Sequence, residues 1–139
     1  MPTVTLIVIS ITVVMNIVIV VGDILQVKFV VANSREVGVP DRWLPTLAVL
    51  KGVGAAGLVV GVAGPPVIGI LAAFGLSLFY LGALFAHVRV RVFHSIAFPA
   101  LFFAFALGSL ALLLATPEAG AASICEQFSI RCAKTIQRG

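Results

Sequence analysis

Four stretches, at about residues 3–21, 46–64, 67–85 and 95–115, are almost free of charge, and they constrain this chain more than any other feature. Crossing about 30 Å of hydrocarbon takes about 20 helical residues. In lipid every backbone N–H and C=O must find its partner within the segment, so each stretch reads as a membrane-spanning α-helix. The β-branched Val and Ile of the first stretch do not make it a strand, because strand propensity is a weak preference that the bilayer overrides. Composition agrees: 61% of the residues are hydrophobic and 10% charged, where soluble domains carry about 25% charged. The expected fold is all-α, an integral membrane four-helix bundle with short loops and an interfacial first connection. Residues 1–115 form the bundle and residues 116–139 a C-terminal tail.

The connections fit this plan. "VAGPPVIG" is a tight turn in which Pro65 and Pro66 can start the next helix. "HVRVRVFH" joins spans three and four. The first connection, residues 22–45, is longer and carries Asp23, Lys28, Arg35, Glu36, Asp41 and Arg42. Its "ILQVKFVVANSREVG" portion reads as a helical extension or a partly buried interfacial helix. "GVPDRWLP" then reads as a turn with Trp43 as an interface anchor. "MPTVTLIV" has no basic n-region, so the first stretch is expected to remain a span.

The chain carries a net charge of +4, but its basic residues are scattered along the sequence, which argues against a nucleic-acid-binding patch. An even number of spans puts both termini on one side. The loops of the opposite side hold Lys28, Arg35, Arg42, Arg89 and Arg91, against Arg131, Lys134 and Arg138 near the C-terminus. The positive-inside rule therefore expects both termini outside, in a bacterial cytoplasmic membrane.

Within the second span, "KGVGAAGLVVG" matches the dinucleotide pattern at Gly52, Gly54 and Gly57. That pattern works only between a strand and a helix N-terminus, so here it is accidental. Gly54, Gly57 and Gly61 instead form a smooth stripe for close helix packing, with a partner span or a partner subunit opposite. Gly75 and Gly82 share a face of the third span in the same way. Lys51 either snorkels to the interface or points inward to an acid, for which Asp23 is the nearest candidate. Asn16 shares a helical face with Asp23 and reads as a packing hydrogen bond. Cys125 and Cys132 lie in the tail. On a straight helix their Cα atoms would be about 10.5 Å apart, too far for a disulfide, whereas a non-helical tail outside would allow one. Ile124, Phe128, Cys132 and Ile136 recur at helical spacing, as in an interfacial tail helix.

The stretch "GALFAHVRVRVFHSI" concentrates His87, Arg89, Arg91 and His94. On a helix His87, Arg91 and His94 would share a face; in an extended loop His87, Arg89 and Arg91 would share a side. Two histidines beside arginines make a poor metal site, and no metal is expected. The segment is either a basic loop in contact with lipid headgroups or one wall of a polar pocket. Connectivity brings Asp23, Lys51 and this segment to one membrane face, where they are the candidate ligand pocket: Asp23, Lys51, His87, Arg89, Arg91 and His94.

The runs "EVGVPDRWLPTLAVLKGVGAAGLVVGVAG" and "GLSLFYLGALFAHVRVRVFHSIAFP" make the chain resemble the DoxX-like family of small bacterial four-helix membrane proteins, over roughly residues 14 to 115. That family takes its name from a subunit of an archaeal thiosulfate:quinone oxidoreductase. Actinobacterial relatives are linked to a membrane oxidoreductase complex with a superoxide dismutase and a sulfurtransferase. By position, the family's polar marks fall on Asp23, Lys51, His87 and Arg89. The resemblance implies an auxiliary subunit of a membrane oxidoreductase system, binding a quinone headgroup or a small anion. It also implies lipid contact and either partner subunits or a homo-oligomer. The chain shows no self-contained catalytic centre. The alternatives are a non-enzymatic scaffold, recruiting partners through the Gly57/Gly61 face, and a small transporter. The last would need a polar path, and the span halves away from the pocket look too apolar for one.

Overall fold

Four helices long and apolar enough to cross a membrane, Thr3–Ile24, Asp41–Ala63, Pro66–Arg89 and Ala97–Ala115, dominate the computed structural model, which describes residues 2–116. The tail, with both cysteines, lies outside the described residues. In chain order the α-helices are α1 (Thr3–Ile24), α2 (Lys28–Glu36), α3 (Leu44–Ala63), α4 (Pro66–Arg89) and α5 (Ala97–Ala115). A single 3-10 turn, Asp41–Trp43, leads into α3. No strand occurs among the described residues, and the all-helical membrane bundle expected from the sequence is the fold observed.

The long helices form a closed ring: α1 packs on α3, α3 on α4, α4 on α5, and α5 returns to α1. Each buries one narrow stripe at alternating spacings of three and four: Ala48, Ala55 and Leu58 on α3, Ala73, Leu76, Tyr80 and His87 on α4, and Pro99, Phe102, Ala106, Ser109 and Leu113 on α5. This is the seam of helices that cross at shallow angles. The outward faces carry exposed Val, Leu, Ile and Phe, as lipid-facing surfaces require.

The glycine stripe of α3 meets α4 within the same chain. A Cβ on Gly61 would fall 2.2 Å from the Gly69 Cα, and one on Gly57 would fall 2.7 Å from the Ala72 Cβ. A Cβ on Gly54 would strike Leu76. The proline turn "GPP" brings the two helices together at that end, and only the missing Cβ atoms permit the approach. Gly75 and Gly82 behave otherwise, because a Cβ on either meets nothing within 4 Å. Of the two partners the sequence allows for their shared face, a span of this chain is therefore not the one in place.

Helix α2 caps one end of the ring, and Phe29 packs edge-on against Phe98 of α5 at 5.1 Å between centroids. The first connection is therefore a break followed by a separate helix, not a straight extension of α1. Three helix ends close in the same way. After α1, the Gln26 and Val27 N–H groups bond back to the Asp23 and Gly22 carbonyls. After α2, Gly38 and Val39 bond back to Arg35 and Ser34; after α4, Arg91 and Val92 bond back to Val88 and His87. Each end turns through a left-handed residue: Gln26 at φ 48, Gly38 at φ 77 and Arg91 at φ 58. Only Gly38 announces the turn in the sequence, since a left-handed non-glycine residue costs about 1 kcal/mol.

Asp41 holds Arg35 across the turn after α2, with Nε 2.9 Å from Oδ1 and Nη2 in contact with Oδ2. The guanidinium holds the Asp41 carboxyl below its usual range, chiefly by hydrogen bonding. The contribution of this exposed pair is present above the ordinary carboxylate pKa and is lost as pH falls through the lowered one. In Arg35→Gln, the Asp41 titration midpoint followed by NMR should rise to the ordinary value; an unchanged midpoint would mean that the pair is not formed. The α3–α4 approach gives a sharper expectation. Gly61→Ala should lower stability in detergent by about 2–3 kcal/mol, while Gly75→Ala should be neutral or stabilising by up to about 1 kcal/mol. Equal melting-temperature shifts for the two variants would contradict the packing described.

A candidate ligand cavity at one membrane face

In α1 the inward stripe is polar. Thr5, Thr12, Asn16 and Asp23 are buried there, with Ile9 the sole apolar residue fully buried on this helix. In water such a helix face would be turned outward; in lipid it can only turn in. Asn16 donates from Nδ2 to the Thr12 carbonyl at 2.8 Å and accepts from the Tyr80 hydroxyl at 2.6 Å. Thr12 Oγ1 donates to the Val8 carbonyl at 2.8 Å and lies 2.9 Å from Ser109 Oγ. These bonds tie α1 to both α4 and α5. Interhelical bonds of this kind in membranes contribute on the order of 0.6 kcal/mol each and at most about 2 kcal/mol.

Asp23 closes the stripe at the end of α1. Its Oδ2 lies 2.6 Å from Lys51 Nζ, and the two side chains are 5% and 12% exposed. Lys51 sits on the inward stripe of α3, between Ala48 and Ala55, and so points into the bundle rather than snorkelling outward. Its ammonium also stands 5.4 Å from the centroid of the Phe79 ring. Burying either charge alone would be costly, and their contact offsets that cost.

Above this pair lies a cavity of about 320 Å³, between α2 and the ring of spans. Its polar wall consists of Asp23, Lys51, Tyr80 and His87. Phe29, Phe79, Phe98 and Phe102 supply much of the apolar remainder, and Val30, Asn33 and Ser34 of α2 roof it. Tyr80 is held in place by Asn16 and by Phe102, whose ring centroid is 5.2 Å away.

Of the six pocket candidates named from sequence, the structure brings Asp23, Lys51 and His87 together on this wall. Arg89, Arg91 and His94 are exposed and line no part of it. The reason is the chain reversal at Arg91. Helix α4 carries His87 inward, ends at Arg89, and turns through the left-handed Arg91, so neither a continued helix nor an extended loop aligns the four residues. His94 instead meets Glu36 at 3.0 Å on the surface. No group of three or more His, Cys, Asp or Glu residues able to hold a metal occurs among the described residues.

Tyr80, Thr12 and Ser109 were not singled out in the sequence. The signal that finds them is the spacing of seven that also relates Asn16 to Asp23: Tyr80 to His87, Thr5 to Thr12, and Ser109 to Thr116. The interior is also less apolar away from the cavity than the sequence suggested, since Thr5, Thr12 and Ser109 are all buried in that half.

The ion pair yields a direct test. Asp23→Ala or Lys51→Met alone strands a buried charge and should destabilise the bundle by about 3–5 kcal/mol. The double variant Asp23→Leu with Lys51→Met should lose far less, because it removes both charges. Additive losses in thermal unfolding would show that the two residues do not interact.

Comparison with known proteins agrees with this architecture. No curated protein and no solved structure matches the sequence. A family model described as DoxX-like matches residues 7–109, a range that includes Asp23, Lys51, Tyr80 and His87. The chain is a multi-pass membrane protein, and it belongs to the DoxX-like family.

Proposed function

We propose that this protein is an auxiliary membrane subunit of an oxidoreductase system, and that its cavity receives a quinone headgroup at one membrane face. The observation that carries this reading is the cavity itself: apolar on most sides, with four phenylalanines, and with one polar wall built on a neutralised ion pair. Ligand sites of this kind are largely apolar, with a few polar groups that fix orientation. A small anion fits less well, because the ammonium on the wall already faces Asp23 and the arginines lie elsewhere. An enclosed apolar cavity of about 150 Å³ holds one benzene ring; a volume of about 320 Å³ suits a substituted or fused ring.

A quinone would supply two-electron carrier chemistry, and this chain would supply the site that orients its ring. In the expected orientation the cavity opens on the cytoplasmic side of a bacterial membrane, where Lys28, Arg35, Arg42, Arg89 and Arg91 meet anionic headgroups. Partner subunits would bring the electron donor or acceptor. They would not dock on the Gly57/Gly61 face, which α4 covers.

Ala83 lines the cavity one turn before His87 on the same helix. Ala83→Phe should therefore place a ring inside the site. Native purification followed by lipid-resolving mass analysis should find quinone on the wild-type chain and a roughly tenfold lower occupancy on the variant, about 1.4 kcal/mol, at equal melting temperature. Equal occupancy of both chains, or none on wild type after loading with the carrier in both its quinone and its quinol form, would refute the reading.

A further inference from the structure

His87 is one of two histidines in the chain and the buried one, at 3% exposure. Its Nδ1 lies 2.9 Å from the carbonyl oxygen of Ala83, one turn back on the same helix. A carbonyl only accepts, so Nδ1 carries the proton, and in the neutral ring Nε2 is left as a bare acceptor. Nε2 is buried without a partner. A charged ring would need a second acceptor there, and none lies within bonding distance among the described residues. With Nδ1 turned back onto α4, Nε2 is the unpartnered nitrogen of a residue that lines the cavity.

A second residue of the cavity lining carries an atom in the same condition. Asn33 Oδ1, on the α2 roof, is buried and accepts from nothing. Buried polar atoms nearly always have partners, so two orphaned acceptors around one cavity call for a donor from outside the chain. No donor among the described residues bonds either atom. The Tyr80 hydroxyl donates to Asn16, and Lys51 donates to Asp23.

We propose that the cavity selects its ligand by hydroxyl hydrogens: it takes an aromatic ring bearing free O–H groups, a quinol or phenol, in preference to the quinone or ether of the same ring. His87 Nε2 is the principal acceptor and Asn33 Oδ1 a second. The inference rests on the cavity being a ligand site, and it concerns binding alone. It makes the reduced form of a carrier the one that this subunit holds. An ether or a quinone offers only acceptors, so it leaves both buried atoms unpaired, a loss comparable to or larger than one net hydrogen bond.

The full chain in detergent is tested by equilibrium dialysis against 2-naphthol, 2-methoxynaphthalene and 1,4-naphthoquinone, with protein-free micelles as the blank. Naphthol should bind about five- to tenfold tighter than either of the others, although the ether is the more apolar probe. His87→Phe, which keeps a ring but removes the acceptor, should reduce that preference severalfold, and Asn33→Leu should reduce it less. If the ether or the quinone binds as tightly as naphthol, the selectivity falls while the cavity remains a ligand site. If none of the three binds, both readings fall. Should His87→Phe not fold, ¹⁵N-histidine labelling of the wild type gives an independent answer, with His94→Gln to assign the two rings. The His87 Nε2 resonance should be that of an unprotonated nitrogen and should shift with naphthol and not with the ether. A protonated Nε2, or no shift with naphthol, overturns the proposal.

Discussion

The contact between Asp23 and Lys51 organises this molecule. Two opposite charges meet at 2.6 Å in a bundle whose other spanning residues are almost all uncharged. Neither charge is tolerable there alone. Each must therefore sit on the inward stripe of its helix, and that fixes how α1 and α3 are rotated about their axes. Once the stripe of α1 faces inward at Asp23, it faces inward at Asn16, Thr12 and Thr5 as well. Tyr80 and Ser109 then provide the hydrogen bonds that the stripe requires. At the other end of α3 the rotation is set by close packing instead, with Gly61 against Gly69.

The same geometry makes a cavity. Charged and aromatic groups at one membrane face do not fill space as branched aliphatic side chains do, and α2 bridges the opening rather than plugging it. The helix ends position this roof. Left-handed turns at Gln26 and Gly38 start and stop α2 so that Asn33 and Phe29 face the bundle. The turn at Arg91 sends the remaining basic residues outward, leaving His87 as the histidine on the wall. Polar reach inside and basic charge at the headgroups are thus divided between neighbouring residues of one short segment.

How much of this was legible beforehand follows from which signals survive in lipid. Span number, length and order were readable because hydrocarbon thickness fixes them. The proline turn before α4 was readable for its missing N–H groups. Which way each span faces was hard to read, because a helix apolar on every side carries no hydrophobic periodicity. The polar residues carry the periodicity in its place: Asn16 and Asp23 share a face in the sequence, while Tyr80 and Ser109, uncharged and common in membrane helices, stand out only through their partners at a spacing of seven. Neither a continued helix nor an extended loop describes the hairpin, because nothing about Arg91 in the sequence marks it as the left-handed residue after α4. The glycines show the same limit. Gly57 and Gly75 look alike in the sequence, and only the helix opposite decides that one is a close contact and the other open surface.

The central claim is that the space bounded by Asp23, Lys51, Tyr80 and His87 receives a ring-bearing ligand. Photo-cross-linking tests it most directly: a diazirine-bearing aromatic probe is activated on the full chain in membranes, and the labelled residues are mapped by mass. The account predicts labels on cavity-lining positions such as Phe29, Ala86 and Phe98, suppressed by excess unlabelled probe. Labels confined to lipid-facing positions such as Leu78 and Phe85, unaffected by competitor, would contradict it.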